Sequence, residues 1–263
     1  MIGTGEAPEW QVVLEGTDWA SLETPAGPAS GGYLQAALAG LLDPDPAVRA
    51  AALGQALPSH QNTIYEATVP VAHYVAAILS HPATATAART ATIGNALDRP
   101  VLGLTAPRVV LLRWLGSTAR DADDETVEIG ERMWDNAFLS DYPAMRAFRD
   151  LRPQLYHAIR PLLDDEDEAV RHAGLVAAIP LAEHPELVPH RDQLAHHARR
   201  LLITSTDRYQ RDRALDALQA WGHDTSTLET DADSVARARY ARLATERLQP
   251  RAPGCGYSDE PPF

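Results

Sequence analysis

Apolar residues recur along most of the chain at spacings of three and four, the period of one helix face. Leu34, Leu38, Leu41 and Leu42 mark the first such face, which begins at Tyr33. It stops at Asp43-Pro44-Asp45-Pro46. Pro46 can open the next helix, because the N–H that proline lacks would be unpaired at that position anyway. That second helix presents Val48, Ala52, Leu53 and Leu57. Two short amphipathic helices joined by an acidic turn make a helical hairpin.

The stretch Leu57 to Leu79 breaks the pattern: its first part is polar and turn-like, and its second is an apolar helix. Thr63-x-x-Glu66 has the spacing of a capping box, and Thr68 is a second N-cap candidate. Further on, the pattern predicts a weakly apolar helix over Thr84–Leu97, a strongly apolar one from Pro107 to Leu115, and one from Glu125 to Phe138. Pro143 opens another, Pro153 is expected to break or restart it, and Pro161 to kink the segment that ends at Leu162-Leu163. Helices over 168–182, 189–203, 208–221 and about 232–248 complete the chain, with Asp207 as an N-cap and Gly222 just past a C-terminus. Alternating runs that would read as strands are almost absent.

The hairpin recurs. Residues 41–58 align with residues 162–180 once one residue is inserted in the turn, so that Val48, Arg49, Leu53 and Pro58 meet Val170, Arg171, Leu175 and Pro180. A hairpin of this size buries only one side, and stacked copies bury a continuous core.

Composition sharpens this reading. Hydrophobic residues make up 45% but aromatics only 6%, so the core is built from Ala, Leu and Val, and Ala and Leu lose little freedom in a helix. The net charge of −13 disfavours nonspecific attraction to nucleic acid or anionic lipid. The basic residues are all Arg, whose planar fork suits oriented ion pairs with carboxylates. The one cysteine, Cys255, lies in a Pro/Gly-rich tail and allows neither an internal disulfide nor a cysteine metal site. No signal peptide or membrane span is evident, which suggests a cytoplasmic protein without membrane partners.

The Asp-x-Asp-x-Ala-Val-Arg turn and the prolines in first helices resemble HEAT repeats. A closer resemblance runs over most of the chain, carried by Asp18-Trp19 to Leu22, Gly27-Pro28-Ala29, the stretch from His60 to Thr68, and the segment from Asp207 to Asp224. It is to a group of bacterial, largely actinobacterial, HEAT-repeat proteins without an established activity, some of which look like immunity proteins of toxin systems. The resemblance implies a scaffold that binds a protein on its concave surface. This chain departs from the group's pattern at Asn62, where Gly is expected, and at His73-Tyr74, where a second Pro and an aromatic are expected.

Candidate chemistry is sparse. His60, Gln61, Tyr65 and Glu66 either satisfy backbone groups of a loop crossing the stack or line a groove. His196 and His197 are adjacent and diverge by about 100° on a helix. The chain contains neither a His-x-x-x-His pair nor a His-Glu dipeptide, so no metal site and no cofactor is expected. The segment from His190 to Arg213 is locally basic. Arg200, Arg208 and Arg211, with Tyr209 as aromatic neighbour, could share one face. Arg199 and Trp114 would join them in a cationic groove of the kind that HEAT-like alkylpurine DNA glycosylases use. Against that stand a solvated Arg face and the acidic turn Asp164–Glu168, either solvated or a dock for a basic partner. Neither a phosphate-binding loop nor a nucleophile triad can be read.

The expectation is therefore an all-α, HEAT/ARM-like superhelix of about six helical hairpins. Residues 1–250 form one domain, and residues 251–263 form a poorly ordered tail. The expected function is non-enzymatic protein binding. Two alternatives stay open: nucleic-acid binding, and the sensing of a peptide or small molecule.

Overall fold

A computed structural model of the chain describes residues 7–58, 63–85, 88–90, 103–134 and 137–248. The described elements are helical except for one small antiparallel pair. In chain order they are α1 (Glu9–Gly16), α2 (Leu34–Gly40), α3 (Pro46–Ala56), α4 (Thr68–Ile78) and α5 (Pro82–Ala85). Then come β1 (Ala88–Thr90), β2 (Gly103–Thr105), α6 (Pro107–Asp121), α7 (Asp124–Trp134), α8 (Phe138–Asp141) and α9 (Pro143–Ile159). The chain continues with α10 (Glu168–Leu181), α11 (Arg191–Thr204), α12 (Arg208–Ala220) and α13 (Asp231–Leu248). Short 3₁₀ turns at Trp19–Ser21, Gly31–Tyr33, Arg160–Asp164 and Pro185–His190 join or precede them.

Several boundaries differ from the periodicity. The helix expected over Thr84–Leu97 is only the short α5; Ala88–Thr90 is extended and pairs with Gly103–Thr105. The remainder of that segment lies outside the described residues. The helix expected from Glu125 to Phe138 ends at Trp134, and α8 begins separately at Phe138. Pro153 does not break α9, which runs through it to Ile159. At Pro161 the chain passes instead into a 3₁₀ turn.

The buried apolar residues form one cluster that reaches from Val13 to Leu218. Leu34, Leu38, Leu53 and Leu111 are almost wholly buried within it, and each contributes about 1.5–3 kcal/mol of transfer free energy. Tyr74 of α4 is buried and donates its hydroxyl to Leu38 O at 2.9 Å, fastening α4 to α2. α6 lies along α10 at close quarters. A Cβ on Gly116 would come within 3.0 Å of Ala177 Cα, so only glycine lets the two backbones approach this far.

The two acidic turns are built alike, bond for bond. Asp43 accepts from Asp45 N–H and Asp45 from Ala47 N–H, both at 2.8 Å; Asp165 accepts from Asp167 N–H at 2.9 Å and Asp167 from Ala169 N–H at 2.8 Å. Arg49 donates Nη1 to Asp43 O and Pro44 O, and Arg171 donates Nη1 to Asp165 O and Glu166 O. These bonds put Leu41 opposite Leu163, both buried, and hold one register from there onward without an insertion in the turn. Val48 breaks the symmetry: it is exposed, whereas Val170 is buried.

A third copy precedes α12 in altered spelling. Ser205 Oγ takes the place of the first Asp and accepts from Asp207 N–H at 3.1 Å. Asp207 accepts from Gln210 N–H, and Arg211 donates Nη1 to Leu202 O and Ser205 O. In each copy the side chain of an arginine in the first helical turn collects carbonyls that the turn would otherwise leave unpaired.

Candidate functional site

The residues singled out in the sequence do not converge. His60 and Gln61 lie outside the described residues. Tyr65 is half-buried, and its N–H donates to Thr68 Oγ1 at 3.0 Å. Glu66 does not close a capping box with Thr63: α4 begins at Thr68, and the Glu66 carboxylate accepts instead from Glu23 N–H at 3.1 Å. Ala67 N–H donates to Glu23 O, and Ile64 N–H donates to the Tyr142 hydroxyl at 2.8 Å. This stretch is a joint between the N-terminal segment and the start of α9.

Trp114 is buried and donates Nε1 to Pro58 O at 3.1 Å, so it seals a helix contact rather than lining a groove. The arginines are spoken for as well. Arg211 is buried in the turn just described and grips Asp233, with Nη2 to Oδ2 at 2.6 Å and Nε to Oδ1 at 3.1 Å. Asp233 also accepts from Thr230 N–H and Oγ1. The Arg211 bonds, opposed by burial and aided by the Thr230 bonds, hold its carboxyl well below the usual range. Arg208 is bound to Asp212 at 2.9 Å and to Ala232 O at 3.0 Å, and Arg200 to Asp164 at 3.2 Å. Tyr209 lies between Arg120 and Arg213, each about 6 Å from its ring centre. Arg213 in turn is paired with Asp216. No converging cationic face forms from these residues.

What the fold does assemble is an aromatic stack on α7 and α8. Gly130 leaves a flat place on α7 where the Phe138 ring rests; a Cβ there would fall 2.5 Å from that ring. Trp134 stacks on the outer side of Phe138, with ring centres 5.8 Å apart and planes 18° from parallel. Tyr142 meets Phe138 edge-on and carries the stack inward to Ile64. Outward, Trp134 is 62% exposed and Met133 66%, with Ile129 41% exposed beside them. That is much apolar surface for one short helix to leave in water. Glu125, Glu128 and Asp141 are exposed on the same two helices, and Arg132 on α7 and Arg146 on α9 are exposed as well.

Behind the stack lies a polar network. Arg149 donates to Ala122 O at 2.6 Å and to Asp124, and Arg152, itself buried, reaches Glu183 at 3.4 Å. Asp124 N–H donates to Glu183 at 2.9 Å. Burial pushes the Glu183 carboxyl up to about 7, against the Asp124 N–H bond and Arg152, with the charges of Asp124 and Asp123 adding to the rise. Asp121 is half-buried, and burial raises it to about 6, against the pull of Arg120. Among the described residues no group of three or more His, Cys, Asp or Glu could hold a metal ion, and no helix is long and apolar enough to cross a membrane.

Compared with known proteins, the chain matches no family model, no curated protein and no solved structure. The aromatic stack is hard to read from the sequence because Trp134 ends α7, Phe138 opens α8 and Tyr142 lies between α8 and α9. Their spacing of four was the one available signal.

Proposed function

We propose that this chain is a non-enzymatic protein-binding scaffold built from HEAT-like helical repeats, and that α7 and α8 present its binding surface. Two turns with the same arginine-to-carbonyl bonds, and a third that shares one of them, support a repeat architecture, in which stacked hairpins form a right-handed superhelix. The observation that carries the binding reading is the exposure of Trp134 and Met133 on a supported aromatic stack. Rigid aromatic anchors of this type, with a polar rim, dominate the energetics of protein interfaces. The acidic rim and the net charge of −13 favour a partner with a basic, apolar segment. The nucleic-acid reading loses its main support, since Arg200, Arg208 and Arg211 are each paired with a carboxylate.

The test compares proteins retained from a lysate of the source organism by the wild type and by Met133→Glu/Trp134→Ala. One protein retained in stoichiometric amount by the wild type and lost with the double variant, at unchanged melting temperature, is the expected result. Equal retention by both, or salt-sensitive DNA binding by the wild type, contradicts it.

A further inference from the structure

Between α10 and α11 lies a cavity of about 70 Å³ whose polar wall is made by Arg171, His172, His197, Arg200 and Thr204. Its apolar floor is Leu163, Leu175 and Leu201. No carboxylate lines it. A single water needs about 10–15 Å³ of such space, so there is room for a small polyatomic ion. The lining is rich in donors. Arg171 spends Nη1 on the turn carbonyls Asp165 O and Glu166 O, and Arg200 spends Nη1 on Asp164. A guanidinium has five N–H donors, so both keep others. Thr204 Oγ1 and His172 Nε2 lie 3.2 Å apart and share one bond.

His197 is the informative residue. Its side chain is 8% exposed, it faces the cavity, and among the described residues neither ring nitrogen makes a hydrogen bond. Asp164 Oδ1 stands 4.0 Å from Nδ1, beyond hydrogen-bond reach. The His197 ring nitrogens keep their hydrogen-bonding capacity for whatever enters the cavity, water or an anion.

We propose that this cavity is a binding site for a small phosphate-type oxyanion, held by Arg200, His197 and Thr204 with Arg171 behind them. Asp164 acts at the rim as a resident competitor, since its carboxylate already occupies one Arg200 donor. The site is independent of the α7–α8 surface.

Binding is coupled to protons. Around His197 stand Asp164 at the rim, with His196 and Arg200 on α11; burial lowers its pKa, Asp164 opposes this, and Arg200 and His196 add to the lowering. Around His172 stand Glu168 and Arg171 on α10, with Asp207 and Gln210 at the start of α12; burial again lowers its pKa. Both rings are therefore neutral in the empty cavity at neutral pH. An anion favours the protonated rings, so for an anion of fixed charge affinity rises as the pH falls.

The test is a titration with inorganic phosphate, followed by the NMR signals of the histidine rings. Saturable shifts of His197 and His172 are expected, with His184 and His223 unmoved. Arg200→Ala should weaken binding about tenfold or more. Asp164→Asn, which removes the competitor, should tighten it. Thr204→Val, a milder change, should weaken it with the fold intact. A parallel titration with O-phosphoserine distinguishes the sources: binding of both probes places a phosphomonoester in the site, and binding of phosphate alone places the free ion there. Unmoved His197 signals at tens of millimolar phosphate, or equal affinity in wild type, Arg200→Ala and Thr204→Val, would overturn the proposal.

Discussion

At the scale of single residues, arginines hold the turns that precede α3, α10 and α12. Arg211 shows this most fully: it binds Asp233 and gathers Leu202 O, Ser205 O and Leu228 O. Removing one partner of a buried pair leaves an uncompensated charge. Asp233→Ala should therefore lower stability by about 3–5 kcal/mol, read by denaturant titration. The pH dependence has a definite sign. The folded Asp233 carboxyl titrates below the unfolded value of about 3.9, so its contribution is complete above that pH and is lost as the pH falls through the folded value. Asp121 behaves oppositely. Burial raises it to about 6, so between about 4 and 6 the folded state holds a proton that the unfolded state has released. Stability from this group falls as the pH rises through that window. Asp121→Asn should flatten the fall in melting temperature between about pH 4 and pH 6.

At the scale of elements, helix contacts are decided by small residues. Gly116 lets α6 approach the backbone of α10 at Ala177, whereas nothing stands within 4 Å of a Cβ built on Gly54 in α3. Gly116→Ala should cost about 1–3 kcal/mol through overpacking. Gly54→Ala should gain about 0.4–1 kcal/mol from reduced freedom of the unfolded chain. Thermal unfolding of the pair checks both signs. The helices were legible in sequence wherever an apolar face of period 3.6 met a punctuating Pro, Asp or Gly, as at Asp43–Pro46 and Asp207. The first two turns were legible because their Asp and Arg residues interact locally. The third was not, because Ser205 replaces an Asp. Pro153 misled because the Arg149 carbonyl that its missing N–H would have met accepts from Arg152 Nε at 3.2 Å, and α5 misled because an Ala-rich pattern looks helical without a strong apolar face. The candidate site was the least legible part: Arg208 looked available until Asp212 and Ala232 O were seen to hold it, and Arg211 until Asp233 was seen to hold it. Asp233 and Ala232 lie far enough along the chain that local pattern does not reveal the pairing.

At the scale of the whole molecule, one buried cluster runs from Val13 to Leu218, and the chain carries a net charge of −13. Such a body repels polyanions at long range. What it offers instead is the Trp134–Phe138–Tyr142 stack, anchored inward at Ile64 and bare at its outer end. The most direct measurement is site-specific photocrosslinking in cells of the source organism, with a photoreactive amino acid at position 133 and, as control, at position 209. A discrete protein adduct from position 133, absent from position 209 and lost when Trp134 is changed to Ala, is the expected result. No protein adduct at position 133, or a nucleic-acid adduct at either position, would contradict protein binding through this surface.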